Sequence, residues 1–435
     1  MRIKTPPSVA EAEAEAELSA EELIALLAQH SASASKYLHY DQLRRRINDR
    51  AECSRAWAAL KIKRATTCTA FSLAGTSASF NLTPAIIATL SLVDKMAFGT
   101  GRDPSAQDAS TYLASQLVME EAISSSQLEG AATTSRVAME LLAVGRQPRN
   151  VSESMIMGNW RLMNHILLMA DDPLSTDDIL DIHAIACSSI NDEKYRPGSL
   201  RDNNAVFVAG REGEIVHRPP DFTRVEPMLD ALCSLTIQLE QQDIHPLIVA
   251  SILHFSVGYI HPFNDGNGRT ARGLFYLHMI RRGYSAFRYM SISKLLKNAP
   301  VQYGMSYLYS ETDEMDLTYF IQYQCQIISR AVNEFAASIE RLHQERLELA
   351  EFVSSSPELD KTAQDILALA LNAPGSLLSA AGVSQRLSLS DNTARSRLKT
   401  LAARGLLRAL KDGRGLVYQA PASVAKLKQW MGVPG

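Results

Sequence analysis

The sequence predicts an all-α, mainly helical body with one small β-hairpin, joined to a C-terminal module in which three helices precede two strands. Three observations predict this. Apolar runs with helix-start signals dominate residues 36–352, and only residues 195–220 change to turn and strand chemistry. Beyond a Ser354-Ser-Ser-Pro357 linker the pattern becomes short helices followed by two strand segments around Asp412-Gly-Arg-Gly415. At 435 residues the chain is too long for one core, so two or three domains are expected.

The elements follow in order. Residues 1–35 read as an acidic arm, with Glu11, Glu13, Glu15, Glu17, Glu21 and Glu22 crowded together and a short helix over Leu18–Gln29. Residues 36–165 form an N-terminal helical region, with helices over Asp108–Leu128 and Val151–Met169 and a Ser/Thr/Gly-rich break at Gly130–Ser135. Residues 166–352 form the next region. There Thr176-Asp-Asp-Ile starts a helix with a hydroxyl cap and early acids. Asn204–Val208 has strand character and Glu214–His217 can pair with it, with glycines at the loop ends. Arg218-Pro-Pro220 ends that hairpin. Pro246–Ile260 is apolar on every face, which predicts a buried central helix stopping at His261-Pro262. A second helix runs from Asn267 to Ile280, and a long one spans Leu317 to Phe352. Residues 353–435 carry helices over Lys361–Leu371, Ser379–Leu387 and Asn392–Ala403, then two strands; this pattern describes a winged helix-turn-helix.

Composition excludes several classes. With 46% hydrophobic and 21% charged residues the chain is neither largely disordered nor fibrous. The formal net charge of -3 points, as a whole-chain figure, to neither nucleic acid nor an anionic membrane. Five scattered cysteines form no C-x-x-C pair, which argues against a disulfide framework or zinc site and for a reducing compartment. No 18-residue apolar run exists and the start has no signal-peptide core, so no membrane partner and a cytoplasmic location are expected.

Chemistry concentrates in His261-Pro-Phe-Asn-Asp-Gly-Asn-Gly-Arg-Thr-Ala-Arg272. Gly266, Asn267 and Gly268 can turn successive backbone N–H groups into an anion-binding nest. The nest opens a helix, whose N-terminus also favours phosphate. Arg269 and Arg272 are three apart and share a helix face. Two guanidiniums over a nest suggest a polyphosphate. Asp265 can hold a divalent cation bridging phosphates, and His261 can take a proton from an attacking hydroxyl.

These residues resemble the signature of the Fic family, H-P-F-x-D/E-G-N-G-R-x-x-R, with every specified position matched. Gly198-Ser-Leu-Arg201 with the following hairpin resembles the family's flap, Pro219-Pro220 its exit, and Tyr303 and Asp316-Leu-Thr318 its distal pattern. The resemblance covers roughly residues 110–330. It implies a mainly helical Fic fold and a protein adenylyltransferase that moves AMP from ATP to a Ser, Thr or Tyr hydroxyl of a target protein. His261 is then the general base, Asp265 binds Mg²⁺, and Gly266, Asn267, Gly268, Arg269 and Arg272 hold the triphosphate. The flap would clamp the target by strand addition. Doc-type kinases of the same family have lysine in place of a motif glycine, whereas this chain keeps Gly268. Ser125-Ser-Gln-Leu-Glu129-Gly130 resembles the family's inhibitory motif, S/T-x-x-x-E-G/N. By that resemblance Glu129 pairs with Arg272 and autoinhibits the enzyme, with Ser125 one turn earlier in the same cluster. In some relatives the same glutamate serves removal of AMP.

A second function class rests on the C-terminal module. Residues 380–435 contain ten Lys or Arg against Asp391 and Asp412, a formal charge of +8. Asn392–Ala403 is the recognition-helix candidate, and Arg395, Lys399 and the wing-tip Arg414 are the candidates for DNA contact. The alternatives are a DNA-binding transcriptional regulator with the Fic domain as sensor, or use of the module for protein contact and homodimer formation.

Overall fold

The computed structural model describes residues 3–8, 11, 19–30, 36–99, 117–169, 172–188, 190, 192, 194–210, 212–354, 359–371, 377–412 and 415–421. The greater part of the acidic arm, the first half of the expected Asp108–Leu128 helix, the interdomain linker and Arg414 lie outside them. The chain divides into two compact units. One comprises Met1–Gly99 with Val118–Val332, the other Thr100–Leu117 with Asn333–Gly435.

The first unit begins with α1 (Ala20–Gln29), opened by a Ser19–Glu22 capping box. Then come the short α2 (Tyr40–Leu43) and α3 (Arg50–Thr67), which Asp49 caps. A hairpin of β1 (Thr69–Leu73) and β2 (Thr76–Phe80) follows, closed by Ala74 and Gly75, both at positive φ. The sequence reading expected helices here and missed this pair. Next are α4 (Pro84–Gly99), α5 (117–128), α6 (Ser135–Val144), α7 (Val151–Ile166) and α8 (Thr176–Cys187). Asn150 caps α7, and a Ser175–Asp178 box caps α8.

The expected hairpin is shorter than its strand-forming residues suggested. It pairs only β3 (Val208–Ala209) with β4 (Ile215–His217). Asn204 is diverted from the ladder: its Oδ1 accepts from Phe222 N at 2.8 Å and its Nδ2 donates to Asp221 at 2.7 Å. Such side-chain bonds compete with strand pairing. Then come α9 (Val225–Gln241), α10 (Pro246–Ile260), α11 (Asn267–Arg281), α12 (Ile292–Asn298), α13 (Pro300–Thr312) and α14 (Thr318–Ser354), whose residues from Asn333 onward belong to the second unit. α10 and α11 are buried along most of their length and pack against each other. Among the described residues no helix is long and apolar enough to cross a membrane.

Buried charges tie the start of this unit to its end. Lys61 Nζ lies 2.8 Å from Asp313, and Arg64 donates to the Tyr319 hydroxyl at 2.7 Å and to the Leu38 carbonyl at 2.9 Å. Tyr37 donates to Asp316 at 2.7 Å. Buried ions persist only when paired this way.

The second unit contains α15 (Lys361–Leu371), β5 (Leu377–Leu378), α16 (Ala380–Leu387), α17 (Asp391–Ala403), β6 (Arg408–Asp412) and β7 (Gly415–Gln419). The sheet order is β5-β7-β6, antiparallel. It has its own core, centred on Ile366, Val383, Leu398, Leu401 and Tyr418.

Candidate active site

The site is built where α10 ends. His261 closes that helix in the left-handed conformation, φ 50 and ψ 59, and the chain turns toward α11. Asn267 holds the turn shut: its Oδ1 accepts from Phe263 N at 2.9 Å and its Nδ2 donates to Phe263 O at 2.8 Å. Gly266 starts α11 at φ +84, which a side chain rarely tolerates. His183 of α8 supports the same loop. Its ring stacks on Phe263 at 3.7 Å, its Nε2 donates to the Asp265 carbonyl at 2.9 Å, and its Nδ1 accepts from Gly198 N at 3.1 Å. Burial pushes the His183 imidazole down to about 4, so it stays neutral and its tautomer is set by these partners.

His261 faces a cavity of about 410 Å³ lined by Glu129, His217, Gly258, Gly268, Tyr303, Tyr307 and Glu311, with Val208–Gly210 of the hairpin at its edge. Its Nδ1 lies 3.2 Å from the Gly258 carbonyl. A carbonyl only accepts, so Nδ1 carries the hydrogen and Nε2 keeps the lone pair. Burial pushes this imidazole below its ordinary range, which also favours the basic form. Tyr303 borders the cavity, with its hydroxyl 2.7 Å from His254 Nε2. His254 is a buried core residue, pushed down to about 3 by burial.

Arg272 and Glu129 meet. Arg272 Nη2 donates to Glu129 Oε1 at 2.9 Å and to the Ser125 carbonyl at 3.1 Å, and Nε donates to Ser125 Oγ at 2.9 Å. Arg272 Nη1 is buried without a partner among the described residues. Burial works against the guanidinium charge, but Glu129, Tyr303 and Glu121 together outweigh it and raise the Arg272 pKa. The Glu129 carboxylate also rests against Gly268, where an added Cβ would lie 2.6 Å from Cδ. It therefore occupies the space beside the nest that an anion would use. Gly130, at φ +95, ends the α5 turn just beyond it.

α5 is anchored from the other side by residues the sequence reading did not single out. Glu121 is fully buried, and it accepts from Ser293 N at 2.9 Å, from Ser291 Oγ at 3.2 Å and from Ser293 Oγ. Lys297 donates to Gln127 at 2.7 Å and Lys294 pairs with Glu120 at 3.0 Å.

Two expected ligands sit differently. Both guanidiniums were expected over the nest, but Arg269 turns away. Its Nη1 donates to the Ala186 carbonyl at 2.6 Å and Nη2 to Cys187 Sγ at 3.5 Å, and it is fully buried. The last carbonyls of α8 lack helical partners and take this donor. Asp265 Oδ1 accepts from Gly266 N at 2.6 Å, and its Oδ2 lies 3.2 Å from Lys194 Nζ. Among the described residues no three His, Cys, Asp or Glu side chains gather as a metal site. A lone carboxylate beside a phosphate nest suits a Mg²⁺ ion that arrives with a nucleotide, because Mg²⁺ takes one or two carboxylates plus phosphate oxygens.

Residues 173–279, which hold α8, the hairpin and the α10–α11 turn, match the Fic/DOC family. That stretch is similar to a Fic domain. Over 124 residues it is 30% identical to protein adenylyltransferase Fic of Nematostella vectensis, covering 28% of this chain and 27% of that protein. Over 130 residues it is 35% identical to protein adenylyltransferase fic-1 of Caenorhabditis elegans, covering 28% of this chain and 23% of the relative. The matched region thus spans about a quarter of these relatives' length. In fold the chain is similar to a Fic family protein from Desulfovibrio desulfuricans G20, with a TM-score of 0.53 at 18% identity, over 79% of this chain and 98% of that one.

Proposed function

We propose that this chain is a protein adenylyltransferase, transferring AMP from ATP to a hydroxyl of a target protein and restrained by Glu129. The observation that supports the reading is the cavity that His261, with its available Nε2, shares with Asn267 and Gly268 of the nest and with Glu129, whose carboxylate holds Arg272. In the reaction His261 Nε2 takes the proton of the target hydroxyl as its oxygen attacks the α-phosphorus. The bond to the β-phosphate oxygen breaks and pyrophosphate leaves. The nest and Arg272 hold and neutralise the phosphates. Asp265 would hold Mg²⁺, which supplies charge neutralisation between the phosphates. Arg269 supports the reaction from beneath, through the α8 terminus it caps. The hairpin offers a backbone edge to which a target segment can add.

The Glu129 pair makes Arg272 unavailable to a γ-phosphate, which is the basis of the proposed autoinhibition. Release should therefore raise transfer strongly. Incubation of wild type and Glu129→Gly with α-labelled ATP and Mg²⁺, followed by mass spectrometry, reports the transferred group and the modified residue. Equal incorporation by the two proteins would remove the brake.

A second reading concerns residues 359–421, which we read as a winged helix. The order helix–strand–helix–helix–strand–strand supports it, and on α17 Arg395 and Lys399 are exposed one turn apart. A DNA contact by these residues would give a gel shift that weakens steeply with salt. Absence of any shift would favour use of the module for protein contact or a homodimer. We place the chain in the cytoplasm on its free, largely buried cysteines.

A further inference from the structure

α10 presents the base at its C-terminus, where the final carbonyls have no helical partners and a cation is favoured. Each of these carbonyls receives a donor. Gly258 O faces the His261 ring, Tyr259 O faces His217 Nε2 at 2.8 Å, and Ile260 O and His261 O face Arg201 at 3.5 and 2.9 Å. His217 lies on β4, and Arg201 stands at the foot of the hairpin, its backbone N donating to Pro262 O at 2.9 Å. The hairpin therefore supplies the cap of the helix that carries the base.

His217 has a second contact: its Nδ1 lies 2.7 Å from Glu311 Oε2 on α13. An ionised carboxylate and a carbonyl both only accept, and neutral imidazole has one donor, so both bonds together require the imidazolium. We propose that His217 is a positioning residue: as an imidazolium bridging Glu311 and the Tyr259 carbonyl, it clasps β4 over the base His261. Glu311 on α13, Arg201 at the hairpin foot, His261 beyond the α10 terminus and the Tyr259 ring on α10 are the charged and titratable groups facing it. Burial disfavours its charge, but the Glu311 carboxylate and the Tyr259 carbonyl outweigh burial and raise its pKa. The sign follows. The clasp is complete at low pH and is lost as pH rises through that raised value, when one acceptor faces a lone pair. The same positive charge helps to hold His261 in its basic form.

The inference rests on the proposed transfer for its catalytic meaning, so the experiment reads the contact in the full-length chain without substrate. In ¹⁵N-histidine spectra at pH 6, both ring nitrogens of His217 should carry hydrogen. In Glu311→Gln, hydrogen exchange at the Ile215–His217 amides should rise about tenfold, whereas the remote control Glu226→Gln leaves it unchanged. His217→Gln should move the His261 titration midpoint up by roughly 0.5 of a pH unit. A pH series on wild type repeats the test without substitution: exchange, corrected for intrinsic base catalysis, should rise as His217 loses its proton. A neutral His217 at pH 6, unchanged exchange in Glu311→Gln, or an unmoved His261 midpoint would each overturn the clasp. A clasp found in a chain that transfers no AMP would stand, and only the adenylyl-transfer reading would fall.

Discussion

In the proposed transfer His261 would act as a base only with Nε2 unprotonated, and two local facts arrange that: the Gly258 carbonyl fixes the hydrogen on Nδ1, and burial lowers the pKa. His261→Ala should abolish AMP transfer while ATP still binds, as measured by labelled incorporation and calorimetry; retained transfer would sink the assignment. In the Glu129→Gly background the rate should climb with pH along an acid limb whose midpoint lies below ~6.5, the ordinary histidine value. A midpoint above that value would contradict the depressed pKa. The proposed catalytic residues could be picked out from the sequence because twelve contiguous positions offer a nest, a metal ligand and a base. The partners that aim them were not. Glu311 is 94 residues from His217, and Ser293 is 172 from Glu121. Arg269 shows the limit of helical spacing as an argument: the face it shares with Arg272 was read correctly, but the unsatisfied Ala186 carbonyl that draws it away belongs to another helix.

At the scale of elements, α5 carries the proposed restraint and α12 anchors it. Glu121 accepts the backbone N–H of Ser293 near the start of α12, so one carboxylate couples the two helices. Desolvation raises the Glu121 pKa, the cost of burying an acid without a full counter-ion. Glu121→Ala should loosen α5, giving a severalfold rise in AMP incorporation that stays below that of Glu129→Gly. It should also cost about 2 kcal/mol in chemical denaturation, because the Ser293 donors lose their acceptor. Incorporation equal to wild type would show that α5 needs no such anchor. The long helices were readable from apolar pattern and caps, and α15 falls where the sequence placed it, Lys361–Leu371. The β1–β2 hairpin was not, because its turn is Ala74-Gly75 rather than an Asn-Gly or Asp-Gly pair, and its strands are rich in Ser, Thr and Ala.

Across the whole molecule, the first unit closes on itself through the Lys61–Asp313 pair and the Arg64 cluster, joining residues about 250 apart in sequence. Lys61→Ala leaves Asp313 buried with fewer partners and should lower unfolding free energy by roughly 3–5 kcal/mol, read from urea midpoints. A loss under about 1 kcal/mol would mean that water reaches the site. The second unit has its own core between Leu359 and Ala420. Deleting residues 355–435 should therefore leave ATP-dependent labelling intact in the Glu129→Gly background. Loss of labelling in a folded truncation would tie the module to catalysis. The near-neutral total of -3 conceals one strongly basic stretch, since residues 380–435 carry a formal charge of +8.

The collision that a side chain at Gly268 would suffer with Glu129 has a meaning for descent. Position 268 must stay bare for the nest, and it must stay bare for the restraint as well. A lineage drifting toward a lysine there, the residue in which Doc-type kinases differ from this motif, would first have to discard Glu129. The proposed donor site and the proposed self-restraint thus constrain the same position, and a side chain there would be incompatible with both.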